Sequence, residues 1–197
     1  MTLVTISASY GCGGSQIAPA LAERLGVPLL GRPPAPDLDP EVEEPSGRLL
    51  SRVASLALAW GTPGGMALDD LLPDSSGRDE IEREIRELAA GGEGVILGRG
   101  AAVILHDDER ALHVLLDAPK EARVRQAMEI ESLDQEAAER RLARVDRFRR
   151  AYVETFYGVD LHEPGVCHLV IDSTAISLDD CVELIAAAAM SRSSRRR

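Results

Sequence analysis

A glycine-rich turn near the start of the chain limits the fold more than any other feature of the sequence. The apolar run LVTIS (residues 3–7) is followed by SYGCGGS (9–15) and then by apolar residues at helical spacing as far as Leu25. This order predicts a buried strand, a tight turn and a helix over residues 14–25 that ends at Gly26. Free backbone N–H groups and the positive end of the helix dipole would meet at the turn. The sequence therefore predicts an anion site, the alternative being a strand-to-helix turn that binds nothing.

The turn keeps part of the phosphate-loop pattern G-x-x-x-x-G-K-[ST]. Residues 8–15 (ASYGCGGS) retain the last Gly and the Ser, whereas Ala8 replaces the first Gly and Gly14 replaces the Lys. Ser15 stands where the hydroxyl of such a loop binds the magnesium ion carried by ATP. Because the turn has no cation of its own, the positive charge for phosphate binding must come from elsewhere in the chain.

Further strands and helices alternate along the chain. Candidate strands are VPLL (27–30), GVILG (94–98), LHVLLDA (112–118) and CHLVIDS (167–173). Helices are predicted over residues 48–60, 78–90, 100–105, 119–131, 134–156 and 177–190. The acidic, Pro-rich segment 31–47 is predicted to be a loop. The order favours an α/β sandwich with a mostly parallel sheet.

The composition excludes several classes of protein. A net charge of −11 argues against a general nucleic-acid binder, which needs a basic footprint. No apolar run approaches the ~18 residues of a membrane helix, and no signal-peptide pattern opens the chain, so we expect a cytoplasmic protein without a membrane partner. Three Cys without CxxC spacing and four scattered His do not predict a metal site made by the protein alone. His113 and His168 are interpreted as structural residues within strands.

The predicted helix 134–156 concentrates arginine. Arg140, Arg144 and Arg147 recur at helical spacing on a face away from the apolar stripe, and Asp146 is the only acid among them. A cluster of like charges is repulsive unless an anion lies over it, and the planar guanidinium suits phosphate. An anion-binding surface and a solvated charged face are both consistent with the pattern.

Four stretches together resemble the cytidylate kinase-like branch of the P-loop nucleoside monophosphate kinases. They are SASYGCGGSQIAPALAERLGVP, GVILGRGAAVIL, RRLARVDRFRRAYVETFYGVDL and CHLVIDSTAISLDDCVELI. The resemblance implies a three-layer P-loop NTPase fold with a five-stranded parallel sheet, formed by a single domain over residues 1–190. It also implies a helical NMP-binding insertion, here the divergent segment 31–90, and an Arg-rich lid over 134–160. Residues 191–197 are expected to be a disordered basic tail.

The same resemblance implies a reaction and its residues. The reaction is transfer of the ATP γ-phosphoryl group, with magnesium, to a nucleoside monophosphate, most closely CMP or dCMP. The ATP phosphates would be held by Gly11, Cys12, Gly13, Gly14 and Ser15, and Ser15 would also meet the magnesium ion. Substrate binding would fall to Arg99, facing the monophosphate, and to Asp146 and Arg149, which match a pair used in recognising cytidine. Arg144 and Arg147 would be the catalytic lid arginines.

The chain also departs from this branch. Relatives commonly carry Arg at the position of Ala8 and Asp at that of Gly100, and the segment 31–47 is acidic where a phosphate is expected to bind. These departures leave two alternatives open: a weak or inactive nucleotide-binding regulatory protein of the same fold, or a kinase for another small acceptor. Cys12, at a helix N-terminus, is interpreted either as a thiol with a lowered pKa that could act as a redox switch, or as a simple small residue.

Overall fold

The computed structural model describes residues 2–31 and 75–194. The predicted acidic loop beyond Gly31, the predicted helix 48–60 and residues 195–197 of the predicted tail lie outside the described residues. Close contacts divide the chain into two compact units, one formed by residues 1–31 and 85–197 and the other by residues 32–84. The first unit contains the sheet and the candidate site. In the second, the described part is the start of one helix, where Arg78 Nε lies 3.6 Å from Glu82 Oε1.

The described residues form an alternating series of strands and helices. The strands are β1 (Leu3–Ala8), β2 (Leu29–Leu30), β3 (Gly94–Leu97), β4 (Ala111–Asp117) and β5 (Leu169–Asp172). The helices are α1 (Gly14–Leu25), α2 (Ser75–Ala90), α3 (Ala101–Ile104), α4 (Lys120–Glu131), α5 (Gln135–Tyr157) and α6 (Leu178–Ser194). None of these helices combines the length and apolar character that crossing a membrane requires.

Helix α6 extends beyond its predicted end at residue 190, so the tail expected to be disordered from 191 is helical as far as Ser194. The last turn is held by polar contacts that apolar periodicity does not reveal. Ser193 Oγ donates to the carbonyl of Ala189 (3.1 Å), and Arg192 Nη2 donates to the carbonyl of Glu109 (3.1 Å).

The five strands form one parallel sheet in the order β2-β3-β1-β4-β5. Val4 pairs with Val95 of β3 on one side and with Leu112 of β4 on the other. Parallel strands need long crossover connections, which the helices supply. Because all strands run the same way, the segments that follow β1, β3 and β4 meet at one edge of the sheet. The candidate site lies at this edge.

The two faces of β1 differ in chemistry. Val4 and Ile6 are buried on one face, in a cluster that includes Ile17 of α1 and Ile185 of α6. The alternating residue Thr5 faces the other way and its hydroxyl lies 2.8 Å from Nδ1 of His113. These contacts fix β1 at the centre of the sheet.

His113 is a buried structural residue, as predicted. Its ring stacks on that of His168, with centroids 4.9 Å apart, and its backbone N–H donates to His168 Nδ1. Burial, with a further contribution from His168, lowers the pKa of His113 to about 4. His168 itself lies just before β5, which is shorter than the predicted strand 167–173.

Candidate functional site

The glycine turn joins β1 to α1 in a conformation that requires glycine. Gly11 has φ +83° and Gly13 has φ +67°, both in the left-handed region. A Cβ at Gly11 would overlap the backbone carbonyl of Arg123, because the start of α4 packs directly against the turn. The Ser9 N–H donates to the carbonyl of Leu116 (2.9 Å), which ties the turn to β4. The predicted strand, turn and helix are therefore present, with α1 beginning at residue 14 as predicted.

The N-terminus of α1 is open to an anion. Its N-cap residue, Gly13, makes no side-chain cap hydrogen bond, and the first turn of the helix contains no acid. The backbone N–H groups of Gly14 and Ser15 have no hydrogen-bond partner within residues 2–31 and 75–194. The Ser15 side chain is exposed. Unsatisfied N–H groups at the positive end of a helix suit phosphate oxygens.

Gly14 and Ala8, the two departures from the phosphate-loop pattern, are linked in space. A Cβ at Gly14 would lie 2.8 Å from the Cβ of Ala8 and 3.5 Å from Cδ1 of Leu97. The first distance is shorter than real Cβ contacts, so a lysine at position 14 would need Ala8 to move. Position 14 therefore accommodates a side chain only if Ala8 or the adjoining backbone shifts.

Tyr10 anchors the turn between α4 and α5. Tyr10 is 5% exposed and is buried in an apolar cluster. The buried members of this cluster are Val124, Ala127, Ala138 and Leu142. The hydroxyl of Tyr10 donates to Oε2 of Glu131 (2.8 Å), and burial, followed by this hydrogen bond, raises the pKa of Tyr10.

Asp146 and Arg123 bind the backbone of the same residue. The Tyr10 N–H donates to Asp146 Oδ1 (2.8 Å), and the Tyr10 carbonyl accepts from Arg123 Nη1 (3.0 Å). Arg123 Nη1 also donates to Asp146 Oδ2 (2.5 Å), and its Nε donates to the carbonyl of Ala118 (2.9 Å). The structure thus places Asp146, predicted to recognise cytidine, against the glycine turn.

The sequence analysis missed Arg123. The available signal was its position at the start of the helix that follows Asp117, the last residue of β4. Segments that follow central strands of a parallel sheet meet at one edge. That rule places Arg123 beside the turn, although it does not identify the atoms that it binds.

Five of the six arginines of α5 fall into two groups. Arg140 pairs with Glu136, and Arg141 Nη1 lies 3.3 Å from Glu131 Oε2, so acids neutralise this part of the predicted surface. The second group consists of Arg144, Arg147 and Arg149, the predicted lid and substrate residues.

Arg149 and Arg144 differ in their surroundings. Arg149 Nη1 donates to the carbonyl of Ala8 (2.5 Å), which places a guanidinium at the end of β1. Arg144 is partly buried and makes no hydrogen bond or ion pair with any described residue. Burial, and next the positive charge of Arg141, lowers the pKa of Arg144. Arg147 is exposed.

A second glycine turn follows β3, next to β1 in the sheet. Gly98, Arg99 and Gly100 have φ of +72°, +59° and +73° in succession. A left-handed Arg is strained by about 1–3 kcal/mol, and such strain clusters at functional sites. Arg99 Nη2 donates to the carbonyl of Gly31 (2.8 Å). The predicted monophosphate-binding Arg99 therefore lies at the same edge of the sheet as the first turn.

Gly100, which the resemblance placed where Asp was expected, lies in a site that has little room for an Asp side chain. A Cβ at Gly100 would lie 2.9 Å from Cε2 of Tyr157 and 3.5 Å from Cε1 of Tyr152. The rings of Tyr152 and Tyr157 contact each other edge to face, with centroids 6.1 Å apart. Aromatic packing thus occupies the space in front of Gly100.

Of the two interpretations of Cys12, the thiol with a lowered pKa is wrong. The residue is fully buried, and burial raises the pKa of its thiol to about 11. Its carbonyl accepts a hydrogen bond from Ser173 Oγ (2.9 Å). Burial is the largest cause of this shift, so Cys12 fits the interpretation as a small core residue.

A groove of about 300 Å³ opens beside the turn. It is lined by Gln16, Ile17 and Ala20 of α1 and by Leu178, Asp179 and Val182 of α6. Leu178 also packs on the turn, since a Cβ at Gly13 would lie 2.7 Å from its Cδ2. The groove and the open end of α1 are therefore adjacent.

Comparison with known proteins identifies the family. The sequence profile of the cytidylate kinase-like family matches residues 3–175. The chain belongs to this family. A cytidylate kinase of Methanopyrus kandleri is 30% identical over 117 residues, which are 55% of this chain and 61% of that protein. A cytidylate kinase of Aeropyrum pernix is 29% identical over 186 residues, 91% of this chain and 94% of that protein.

Solved structures share the fold of this cytidylate kinase-like chain. An uncharacterized protein from Eubacterium ventriosum has a TM-score of 0.70 at 19% identity, over 97% of this chain and 99% of that one. A gluconokinase from Sinorhizobium meliloti has a TM-score of 0.52 at 14% identity, over 100% and 98%. Together with the strand order, these likenesses confirm the predicted P-loop kinase fold with its five-stranded parallel sheet.

Proposed function

We propose that this protein transfers the γ-phosphoryl group of ATP to a nucleoside monophosphate, with CMP or dCMP as the first acceptors to test. The observation that carries the proposal is the meeting of a cation-free glycine turn with the arginine helix α5. Arg149 reaches the end of β1, and Arg144 is partly buried with no acid beside it in the described part of the chain. Phosphoryl transfer depends on positioning and charge neutralisation more than on a covalent nucleophile.

In this proposal each turn binds one substrate. Residues Gly11 to Ser15 hold the ATP phosphates through their backbone N–H groups, and the Ser15 hydroxyl meets the magnesium ion that ATP carries. Arg144 and Arg149 replace the missing loop lysine, and Arg147 joins them when α5 closes over the phosphates. The groove beside the turn, whose lining includes the apolar residues Ile17 and Val182, takes the base of ATP.

The acceptor side of the proposal depends on Arg99. It lies at the end of β3 and would bind the acceptor phosphate, which brings that phosphate to the same edge of the sheet as the ATP-binding turn. The names of the two relatives favour cytidine monophosphates as acceptors. A kinase for another small phosphorylated or hydroxylated acceptor remains the alternative, because the segment expected to bind the acceptor has diverged in sequence.

The test is an assay of the purified full chain with ATP, magnesium and a panel of CMP, dCMP, UMP and AMP, following ADP. We expect ADP to form fastest with CMP or dCMP and to fall at least tenfold with Arg99→Gln at subsaturating acceptor. No ADP above the acceptor-free background with any of the four would contradict the kinase. Titration calorimetry on the same samples separates a regulatory protein from an enzyme, since the regulator binds ATP or CMP without turnover.

The regulatory alternative has an observation of its own. Ala8 and Gly14 together leave the loop without either cation that related loops supply, and they fit each other closely. Binding without turnover in the unmodified chain would favour this alternative.

A further inference from the structure

We propose that Asp146 and Arg123 are positioning residues that hold the glycine turn in shape for ATP, and that Asp146 does not recognise the acceptor base. This inference rests on the proposed kinase function and assigns the two side chains to its ATP side. The resemblance to cytidylate kinases led to the opposite expectation for Asp146.

The hydrogen bonds of Asp146 favour this role. One carboxylate oxygen accepts from the Tyr10 N–H at 2.8 Å and the other accepts from Arg123 at 2.5 Å, so each oxygen already has a close donor inside the protein. The Asp146 side chain is 21% exposed and that of Arg123 is 12% exposed. An acceptor base would therefore have to share this carboxylate with a charge-assisted hydrogen bond from Arg123.

Arg123 binds the second backbone group of Tyr10, its carbonyl. Its Nη1 binds the Tyr10 carbonyl as well as Asp146, and its Nε binds the carbonyl of Ala118 at the end of β4. Both backbone groups of Tyr10 are therefore held by one ion pair. Because Tyr10 is immediately followed by Gly11, with its left-handed φ, this ion pair fixes the direction in which the next N–H groups point.

The same ion pair also positions the guanidinium of Arg149 at the end of β1. Asp146 and Arg149 are three residues apart on α5 and so share one face of the helix. With Asp146 held on the turn, Arg149 reaches the carbonyl of Ala8. Asp146 thus sets the geometry of the turn and the position of the guanidinium that replaces its lysine.

The kinetic test compares two Michaelis constants in the Asp146→Asn variant. Asparagine can still accept from the Tyr10 N–H but loses the charge that pairs with Arg123. We expect the KM for ATP and the calorimetric Kd for ATP to rise at least tenfold, with the KM for CMP changed by less than twofold. The matched control is Glu136→Gln, which removes an 84% exposed acid of another ion pair on α5 and should leave both constants unchanged. A rise in the KM for CMP alone would overturn the proposal and restore base recognition.

A second test does not depend on activity. Amide hydrogen exchange of a peptide covering residues 9–16, measured in the free full chain, should be at least tenfold faster in Asp146→Asn than in the unmodified protein. Peptides from α6 serve as the reference for global stability. Unchanged exchange of residues 9–16 would overturn the positioning role.

Arg123→Lys gives an independent variant if Asp146→Asn unfolds. Lysine keeps the positive charge but cannot bind the Tyr10 carbonyl, Asp146 and the Ala118 carbonyl together. The same selective rise in the KM for ATP and the same faster exchange are expected. If the unmodified chain binds no nucleotide, the kinase proposal fails, and the exchange measurement still decides whether the ion pair positions the turn.

Discussion

The two glycine turns at the carboxyl end of the sheet differ in the source of the positive charge beside them. Both follow neighbouring strands and both use left-handed glycines, but the turn after β1 has no cation whereas the turn after β3 carries Arg99. The first turn is held by side chains of α4 and α5, through Tyr10. The second packs on the rings of Tyr152 and Tyr157. Charge is thus supplied to the first turn by a neighbouring helix and to the second by the turn itself.

The largest expected effect on kinetics comes from removing the guanidinium groups of Arg149 and Arg99 one at a time. Arg149→Gln should lower kcat with CMP about 10²–10³-fold, the usual cost of removing one donor to a developing negative charge. Arg99→Gln should instead raise the KM for the acceptor. Steady-state kinetics with each substrate varied checks both expectations, and equal effects on all constants would show that the two turns do not divide the substrates between them.

Lowering the pH should reduce the free energy of unfolding through His113, which lies on β4 beside β1, the strand that leads into the first turn. The folded-state pKa of His113 is about 4, below its ordinary value of 6.5, so the unfolded chain binds the extra proton. The stabilising contribution is complete above about pH 6.5 and is lost as the pH falls towards 4, by roughly 3 kcal/mol. Urea unfolding across this range is the measurement, with His113→Gln as the variant that no longer titrates. The difference between the two proteins should shrink as the pH falls, and a constant difference would contradict the assignment.

Replacing one glycine of each turn by alanine should show whether the resulting loss of stability can be restored by a second substitution. Gly14→Ala and Gly100→Ala are each expected to destabilise the fold by about 1–3 kcal/mol, since both Cβ atoms would lie within 3 Å of another side chain. At position 14, Ala8→Gly should restore most of the loss. At position 100 the backbone has φ +73°, so truncating Tyr157 should not restore it. Chemical denaturation of the four single and double variants checks this contrast.

The smallest effect on stability is expected when only the hydroxyl group of Tyr10 is removed. Tyr10→Phe removes the hydrogen bond to Glu131 but keeps the buried ring, so it should lower the unfolding free energy by about 1 kcal/mol. The KM for ATP should change by less than threefold, because the backbone contacts to Asp146 and Arg123 remain. Thermal unfolding together with ATP titration is sufficient, and a tenfold loss of ATP affinity would mean that the hydroxyl itself orders the turn.

The described parts of the fold were predictable because local patterns determine them. The continuous apolar runs 94–98 and 112–118 lie within one residue of β3 and β4, and α1 has its predicted bounds. The predicted strand 27–30 is reduced to Leu29–Leu30, at the edge of the sheet, where Leu29 is 39% exposed. The spacing of apolar residues does not show which strand becomes the outermost strand of the sheet.

The candidate site was only partly predictable. The position of the glycine turn and the presence of arginines on α5 follow from spacing. The contacts of Asp146 and Arg123 with Tyr10 join residues more than 100 positions apart in the chain, so no local pattern contains them. The pKa of Cys12 depends on its burial in a core cluster that also contains Ile171 of β5 and Cys181 of α6, and a rule based on the helix terminus does not include this burial.

The close fit of Ala8 and Gly14 also restricts the order in which this sequence can change. A lysine introduced at position 14 while residue 8 is alanine would place its Cβ 2.8 Å from the Cβ of Ala8, in a space that is already occupied. Ala8→Gly would open that space, and by itself it adds no charged or hydrogen-bonding side chain. Reaching a loop lysine from this sequence therefore takes two substitutions in order, Ala8→Gly and then Gly14→Lys, and only the second adds a charge.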